Sequence, residues 1–149
     1  EGVLDVMNKL NKIINPQKIF MGEKDFQQLY LVKKKLERIY KTKVIPCKTI
    51  RDKNNVALSS RNFLLNKSNL VIAANIYKKL VNIKNNIKNN KNILNFLKLQ
   101  KKELSNNYKV KIDYLELRNK KNLELSKTIN NSRLFIAYYI NNVRLIDNL

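Results

Sequence analysis

Ile19 to Tyr30 reads IFMGEKDFQQLY and holds one of only two glycines in 149 residues. The apolar run KIFM, Lys18 to Met21, lies between the helix breaker Asn15-Pro16 and Gly22, so it reads as a short buried strand. After it Phe26, Leu29, Tyr30, Leu36, Ile39 and Tyr40 recur at helical spacing and predict an amphipathic helix ending near Lys41. Before it Val3, Val6, Met7, Leu10, Ile13 and Ile14 fall on one helical stripe. KVIPCKTI, Lys43 to Ile50, is a second strand candidate, with Pro46 confining its middle to an irregular or edge position. Helix, strand, helix, strand at this spacing is the rhythm of a parallel α/β sheet.

The rhythm changes after Asn62. Leu70, Val71, Ala74, Tyr77, Leu80 and Val81 share one helical face, Lys84 to Asn92 reads as a solvated Asn/Lys loop, and Ile93, Phe96, Leu97 and Leu104 predict another helix. Val110, Ile112 and Tyr114 then alternate with polar residues. RLFIAYYI is a longer apolar run, and Asn141-Asn142 joins it to VRLID as a two-residue hairpin, because Asn tolerates positive φ. The second part is therefore expected to be a small α+β unit with an antiparallel sheet.

Composition bounds the partners. The formal charge is +20, from 31 basic and 11 acidic side chains, which raises nucleic acid or an anionic surface as a partner. Lys and Asn make up about a third of the chain while Arg, Gly, Pro and Trp are scarce, the skew expected of drift towards A and T in the codons. Lys outnumbers Arg 25 to 6, although the planar guanidinium is the better fork for phosphates and base edges; drift is the favoured cause. The single Cys47 has no partner for a disulfide, and without histidine there is no zinc set. No apolar run reaches the roughly 20 residues of a membrane span, and no signal-peptide pattern opens the chain. An intracellular, cytoplasmic chain with no membrane partner is expected.

Gly22 returns as chemistry. At the carboxyl end of a parallel strand, a glycine admits a ligand close to the backbone, and the helix that follows offers free N–H groups and a positive dipole end. Lys24 adds a point charge for phosphate and Asp25 a two-oxygen acceptor suited to ribose hydroxyls. Gln28, four residues past Lys24, shares its helical face and could address a second ligand. On the tripeptide alone this stands level with a plain Gly turn, an acidic helix start and an exposed Lys. VALSSRN, Val56 to Asn62, offers two hydroxyls and an arginine to a nucleotide, or is a Ser-rich loop with Asn62 as a cap.

In order, GVLDVMNKL, INPQKIFMGEKDFQQL, VIPCKTIRDKNNVALSSRN, DYLELR and RLFIAYYINNVRLIDN resemble successive blocks of the pantoate–β-alanine ligase family, the pantothenate synthetases. The resemblance covers nearly the whole chain and implies a ligase of the nucleotidylyl-transferase superfamily, which uses ATP and Mg²⁺ to join pantoate to β-alanine through an adenylate. It implies an α/β fold: the last units of a Rossmann-like nucleotide-binding sheet with hinge over 1–62, then a small α+β domain with an antiparallel sheet over 63–149. Position by position it implies that Gly22, Glu23, Lys24 and Asp25 bind ATP, with Lys24 on phosphate and Asp25 on ribose. Gln28 would hold pantoate, the Ile50 backbone would read adenine, and Leu58, Ser59, Ser60 and Arg61 would form the second ATP loop. Lys24 and Arg61 would act catalytically, sharing the charge that grows on the α-phosphate. No metal ligand is assigned.

Asp5 stands where the family has Thr, and Asn54-Asn55 where it has Asp-Gly. The family's amino-terminal half, with its histidine-bearing ATP block, has no counterpart in these residues, so the expectation is a fragment, inactive alone, completed in cis or in trans and homodimeric when whole. The alternative is a basic nucleic-acid-binding module, which the apolar setting of Tyr138 and Tyr139 disfavours. If the charge is drift, binding to DNA or RNA is expected to be weak and unselective and to fade steeply from low to physiological salt. Filter binding across a salt series checks this; submicromolar, sequence-selective RNA binding at physiological salt would contradict it.

Overall fold

The computed structural model describes residues Gly2–Leu149, and they form two compact units, the first ending at Thr49 and the second Ile50–Leu149. In the first, helix α1 (Gly2–Ile14) leads into strand β1 (Lys18–Gly22). A single 3₁₀ turn (Glu23–Asp25) and helix α2 (Phe26–Ile39) follow, and strand β2 (Lys43–Cys47) completes the unit. β1 and β2 pair in parallel from Lys18↔Lys43 to Gly22↔Cys47. Leu29, Val32 and Leu36 of α2 and Val44 of β2 make the core, joined by Leu4, Met7, Ile19, Met21, Phe26 and Tyr40.

Polar stitches set the turns. Asn15 takes φ 48° at the end of α1, where its N–H donates to the Asn11 carbonyl at 2.9 Å. Thr42 Oγ1 donates to the Pro16 carbonyl at 2.8 Å, and Tyr40 Oη to Asn8 Oδ1 at 2.6 Å. The second strand stops at Cys47, short of Ile50, and α2 stops at Ile39, since Tyr40 is already extended.

The α1 stripe is divided. Leu4 and Met7 face the core, whereas Val3, Val6, Leu10, Ile13 and Ile14 are exposed, Ile13 to 80%. Between the inner residues lies Asn11, 1% exposed, with neither amide atom hydrogen-bonded.

The second unit carries helices α3 (Lys67–Ile87) and α4 (Ile93–Tyr108) and strands β3 (Lys111–Asn119), β4 (Ser132–Ile140) and β5 (Val143–Asn148), in the sheet order β3-β4-β5. Both pairs are antiparallel. Ile76, Leu80, Ile83 and Ile87 of α3 and Leu97 and Leu104 of α4 share one core with Leu117, Leu134 and Ile136 of the sheet. Each helix starts on an asparagine cap: Asn66 Oδ1 accepts from the Asn69 N–H at 2.8 Å and Asn92 Oδ1 from the Asn95 N–H at 3.1 Å. Asn141, at φ 52°, turns the β4–β5 hairpin.

One expectation is corrected. The Lys84–Asn92 loop starts late, because α3 continues to Ile87; Ile83 and Ile87 prolong the buried row from Leu80 and outweigh the Asn/Lys composition. The compact units part at Thr49/Ile50. Residues 51–57 fold back as a bridge, Arg51↔Ala57, and Arg51 is bound to Asp147 of β5.

Burying an amide without partners costs about 1–3 kcal/mol. Asn11→Leu is therefore expected to raise the urea midpoint of the first unit by a stability gain of that order; a lowered midpoint would contradict this placement of Asn11.

Candidate functional site

The first block sits where β1 passes into α2. Gly22 is extended (φ −67°, ψ 133°), and a Cβ built there would meet nothing within 4 Å. Neither backbone strain nor crowding within the fold calls for glycine at this position. Glu23–Asp25 make one 3₁₀ turn, and Asp25 precedes α2 without a side-chain cap. The acidic helix start is therefore no capping device: the Asp25 carboxylate does not bind the α2 amides. Asp25 and Gln28 are exposed, and Glu23 and Lys24 are half-buried.

The second block belongs to the other unit. Ile50 exposes its side chain, and its carbonyl accepts the Leu58 N–H at 3.0 Å. Between them Asp52 organises the turn: its Oδ1 accepts the N–H groups of Asn54 at 2.8 Å and Val56 at 2.9 Å. Asn55 takes φ 67°, a conformation that asparagine tolerates where most residues do not, so Asn54-Asn55 makes a tight turn here. Ser59 caps the 3₁₀ helix Ser60–Leu64, its Oγ accepting the Arg61 N–H at 3.3 Å. Asn62 is not that cap; its amide donates to the Ala57 carbonyl at 3.1 Å. Leu58, Ser60 and Arg61 are exposed.

Sequence reasoning missed the anchor of this loop. Arg51 makes a bidentate pair with Asp147, at 2.7 and 2.8 Å, across 96 residues of chain. Its guanidinium also donates to the Asn55 carbonyl at 3.1 Å and lies 4.2 Å from the centre of the Tyr77 ring. Burial works against the Arg51 charge, but the bond and charge of Asp147 prevail and raise its pKa. Burial, then the charge of Asp147, pushes the Tyr138 hydroxyl well above the ordinary tyrosine range. One signal was available: Asp147 follows Leu145 at strand spacing, which puts an acid on the core face of a strand, where only a paired charge is tolerated.

The blocks lie in different compact units, Gly22 to Gln28 in the first and Ile50 to Arg61 in the second. Among the described residues no group of three or more His, Cys, Asp or Glu side chains could hold a metal, and no helix is long and apolar enough to cross a membrane.

A family model described as pantoate-beta-alanine ligase matches residues 1–149. The chain belongs to the pantoate-beta-alanine ligase family. It is 35% identical to the pantothenate synthetase of Flavobacterium psychrophilum over all of its own length and 54% of that protein, and 34% identical to that of Campylobacter fetus over 55% of it. The chain thus spans about half the length of the curated relatives it matches. The crystal structure of pantothenate synthetase from Thermus thermophilus superposes with a TM-score of 0.88 at 27% identity, over 99% of this chain and 54% of that one. The Francisella tularensis pantoate-beta-alanine ligase, solved with beta-gamma ATP and beta-alanine, superposes at 0.73 with 34% identity, over 99% of this chain and 49% of that one.

Breaking a buried ion pair by removing one partner costs about 3–5 kcal/mol. Asp147→Asn is expected to lower the stability of the second unit by an amount near the low end, since Arg51 keeps the Asn55 carbonyl and the Tyr77 ring. Urea unfolding followed by tyrosine fluorescence measures it; a change under ~0.5 kcal/mol would remove the pair from its anchoring role.

Proposed function

We propose that residues 1–149 supply part of a ligase that joins pantoate to β-alanine, using ATP, to give pantothenate through a pantoyl-adenylate. The observation that carries this reading is the family match across all 149 residues. In the first step a carboxylate oxygen of pantoate bonds to the α-phosphorus of ATP, and the bond to the bridging oxygen breaks, releasing pyrophosphate. In the second the unprotonated amine of β-alanine attacks the acyl carbon; AMP leaves with the bonding electrons and the nitrogen loses a proton.

In this reading Gly22 and the start of α2 receive phosphate, Glu23 completes that block, Lys24 neutralises the α-phosphate and Asp25 holds the ribose. An Asp25 carboxylate with no capping duty supports its role. Gln28 addresses pantoate, and the Ile50 backbone addresses adenine. Leu58 to Arg61 form the second ATP loop, in which Arg61 shares with Lys24 the charge that grows at phosphorus. Mg²⁺ has no cage of side chains among the described residues, and no step is assigned to it. Residues 1–62 then make the end of a Rossmann-like ATP- and pantoate-binding domain with its hinge, and 63–149 the small domain of a cytoplasmic, homodimeric enzyme. The nucleic-acid reading has no observation behind it beyond charge.

An ammonium placed for the transition state lowers the barrier more than it tightens ATP. In the whole protein, with residues 1–149 preceded by the remaining family length, Lys24→Ala is expected to lower kcat by roughly 10²–10³ with a smaller change in KM. Gln28→Ala should weaken pantoate more than ATP. Pyrophosphate release across ATP and pantoate titrations reads both, with circular dichroism as the folding control. Near-normal adenylation by folded Lys24→Ala would reduce Lys24 to a surface charge.

A further inference from the structure

The loop that runs from Ile50 to Arg61 has two limbs, and they are anchored by different means. The return limb is held by burial: Val56 and Ala57 are each 6% exposed, and Val56 belongs to the core of the second unit. The outgoing limb has no apolar anchor. Ile50 is 72% exposed, Lys53 is exposed, and the Asp52 carboxylate turns back on the N–H groups of Asn54 and Val56. Arg51 is the side chain of this limb that leaves the loop.

Its partners decide what it can do. Nη1 and Nη2 pair with the Asp147 carboxylate of β5, Nη1 also reaches the Asn55 carbonyl, and the guanidinium lies over the Tyr77 ring of α3. The carboxylate is itself oriented, because Asp147 Oδ1 also accepts the Asn148 N–H at 2.7 Å. One planar fork thus joins the turn to a strand and a helix, and it fixes angle as well as distance. The backbone on either side of Arg51 is bonded across the loop: the Asp52 N–H donates to the Val56 carbonyl at 2.9 Å, and the Leu58 N–H to the Ile50 carbonyl at 3.0 Å. Holding Arg51 therefore holds Ile50 and, through that bond, the first residue of the Leu58–Arg61 segment.

We propose that Arg51, locked by Asp147, is a positioning residue for ATP: without touching substrate it keeps the Ile50 backbone and the Leu58–Arg61 segment at a fixed spacing, so that adenine is told from other bases. The proposal rests on the reading of those residues as ATP-binding. A site that reads a base by hydrogen bonds rejects the wrong base only while its own polar groups stay in place. Gln28, assigned to pantoate, belongs to the other compact unit, so the effect falls on the nucleotide and not on the acid. A lysine at position 51 keeps the charge and loses the fork, which separates positioning from simple attraction of the phosphates.

The test is a kinetic split in the whole protein. Arg51→Lys is expected to raise KM for ATP at least ten-fold, roughly, and to cut the preference for ATP over GTP in kcat/KM by a similar factor, leaving KM for pantoate unchanged. Asp147→Asn, acting from the far side of the pair, should give the same split between ATP and pantoate. Leu104→Ala is the control for lost stability, since Leu104 is a fully buried member of the same core; it should leave the ATP-to-GTP preference as it is. In residues 1–149 the amides of Val56 and Leu58 should exchange at least ten-fold, roughly, faster relative to those of β4 in Arg51→Lys, but not in Leu104→Ala. Unchanged exchange in the loop, a nucleotide preference that moves as much in Leu104→Ala, or KM values for ATP and pantoate that rise together would overturn the proposal. Faster loop exchange with wild-type ATP kinetics overturns it too, leaving Arg51 a structural anchor only. A whole protein that forms no adenylate with Arg51 intact sinks the ligase reading and the proposal with it, a failure told from the others because it precedes any substitution.

Discussion

The parallel register of β1 on β2 is the constraint on which the first unit depends. It sets Gly22 opposite Cys47 at the carboxyl ends of both strands, the end of a parallel α/β sheet at which ligands are received. The helix start that would meet phosphate follows because α2 must turn back at once to cover Ile19, Met21 and Val44. Glu37 serves the same end by binding the outer N–H of Val44 from the far end of that helix. A unit of two strands and two helices buries little, and its exposed residues on α1 and at Phe20 show how much apolar surface it leaves to water.

In the second unit the constraint is electrostatic. Arg51 and Asp147 are both largely withdrawn from solvent, a costly arrangement for either alone. Bidentate geometry, the Asn55 carbonyl and the Tyr77 face together satisfy the guanidinium. What the pair secures is local: the turn from Asp52 to Val56 is pinned to β5, and Leu58 to Arg61 emerge from it in a fixed direction. The loop is thus held by contacts that involve none of the exposed side chains of Leu58, Ser60 and Arg61.

Much of this was legible in the sequence. Apolar periodicity located α1, β1, α2 and the helices and strands of the second unit, and the resemblance of GEKDFQQL, VIPCKTIRDKNNVALSSRN and their neighbouring blocks to a known family supplied the candidate residues. Long-range pairing was not legible: nothing in local periodicity joins residue 51 to residue 147, and composition disguised the last turn of α3. The stripe on α1 was visible, but not which side of it the core would take, and a buried Asn11 contradicts the pattern outright. The poverty in glycine has a physical answer as well. Four of the six non-glycine residues at positive φ are asparagines, Asn15, Asn55, Asn131 and Asn141, and neither glycine has positive φ. Asparagine has taken over the turns, so Gly22 stands where no turn requires it.

The central claim is that these residues form part of a pantothenate-making ligase and need the rest of it to act. Pantothenate and AMP formation from pantoate, β-alanine and ATP measures this most directly, assayed with residues 1–149 alone and with the remaining family length joined to them. The account expects no product from the 149 residues alone, and equal amounts of AMP and pantothenate, dependent on both ATP and β-alanine, from the joined protein. Turnover by the 149 residues alone, or a folded joined protein that makes neither product, would contradict it.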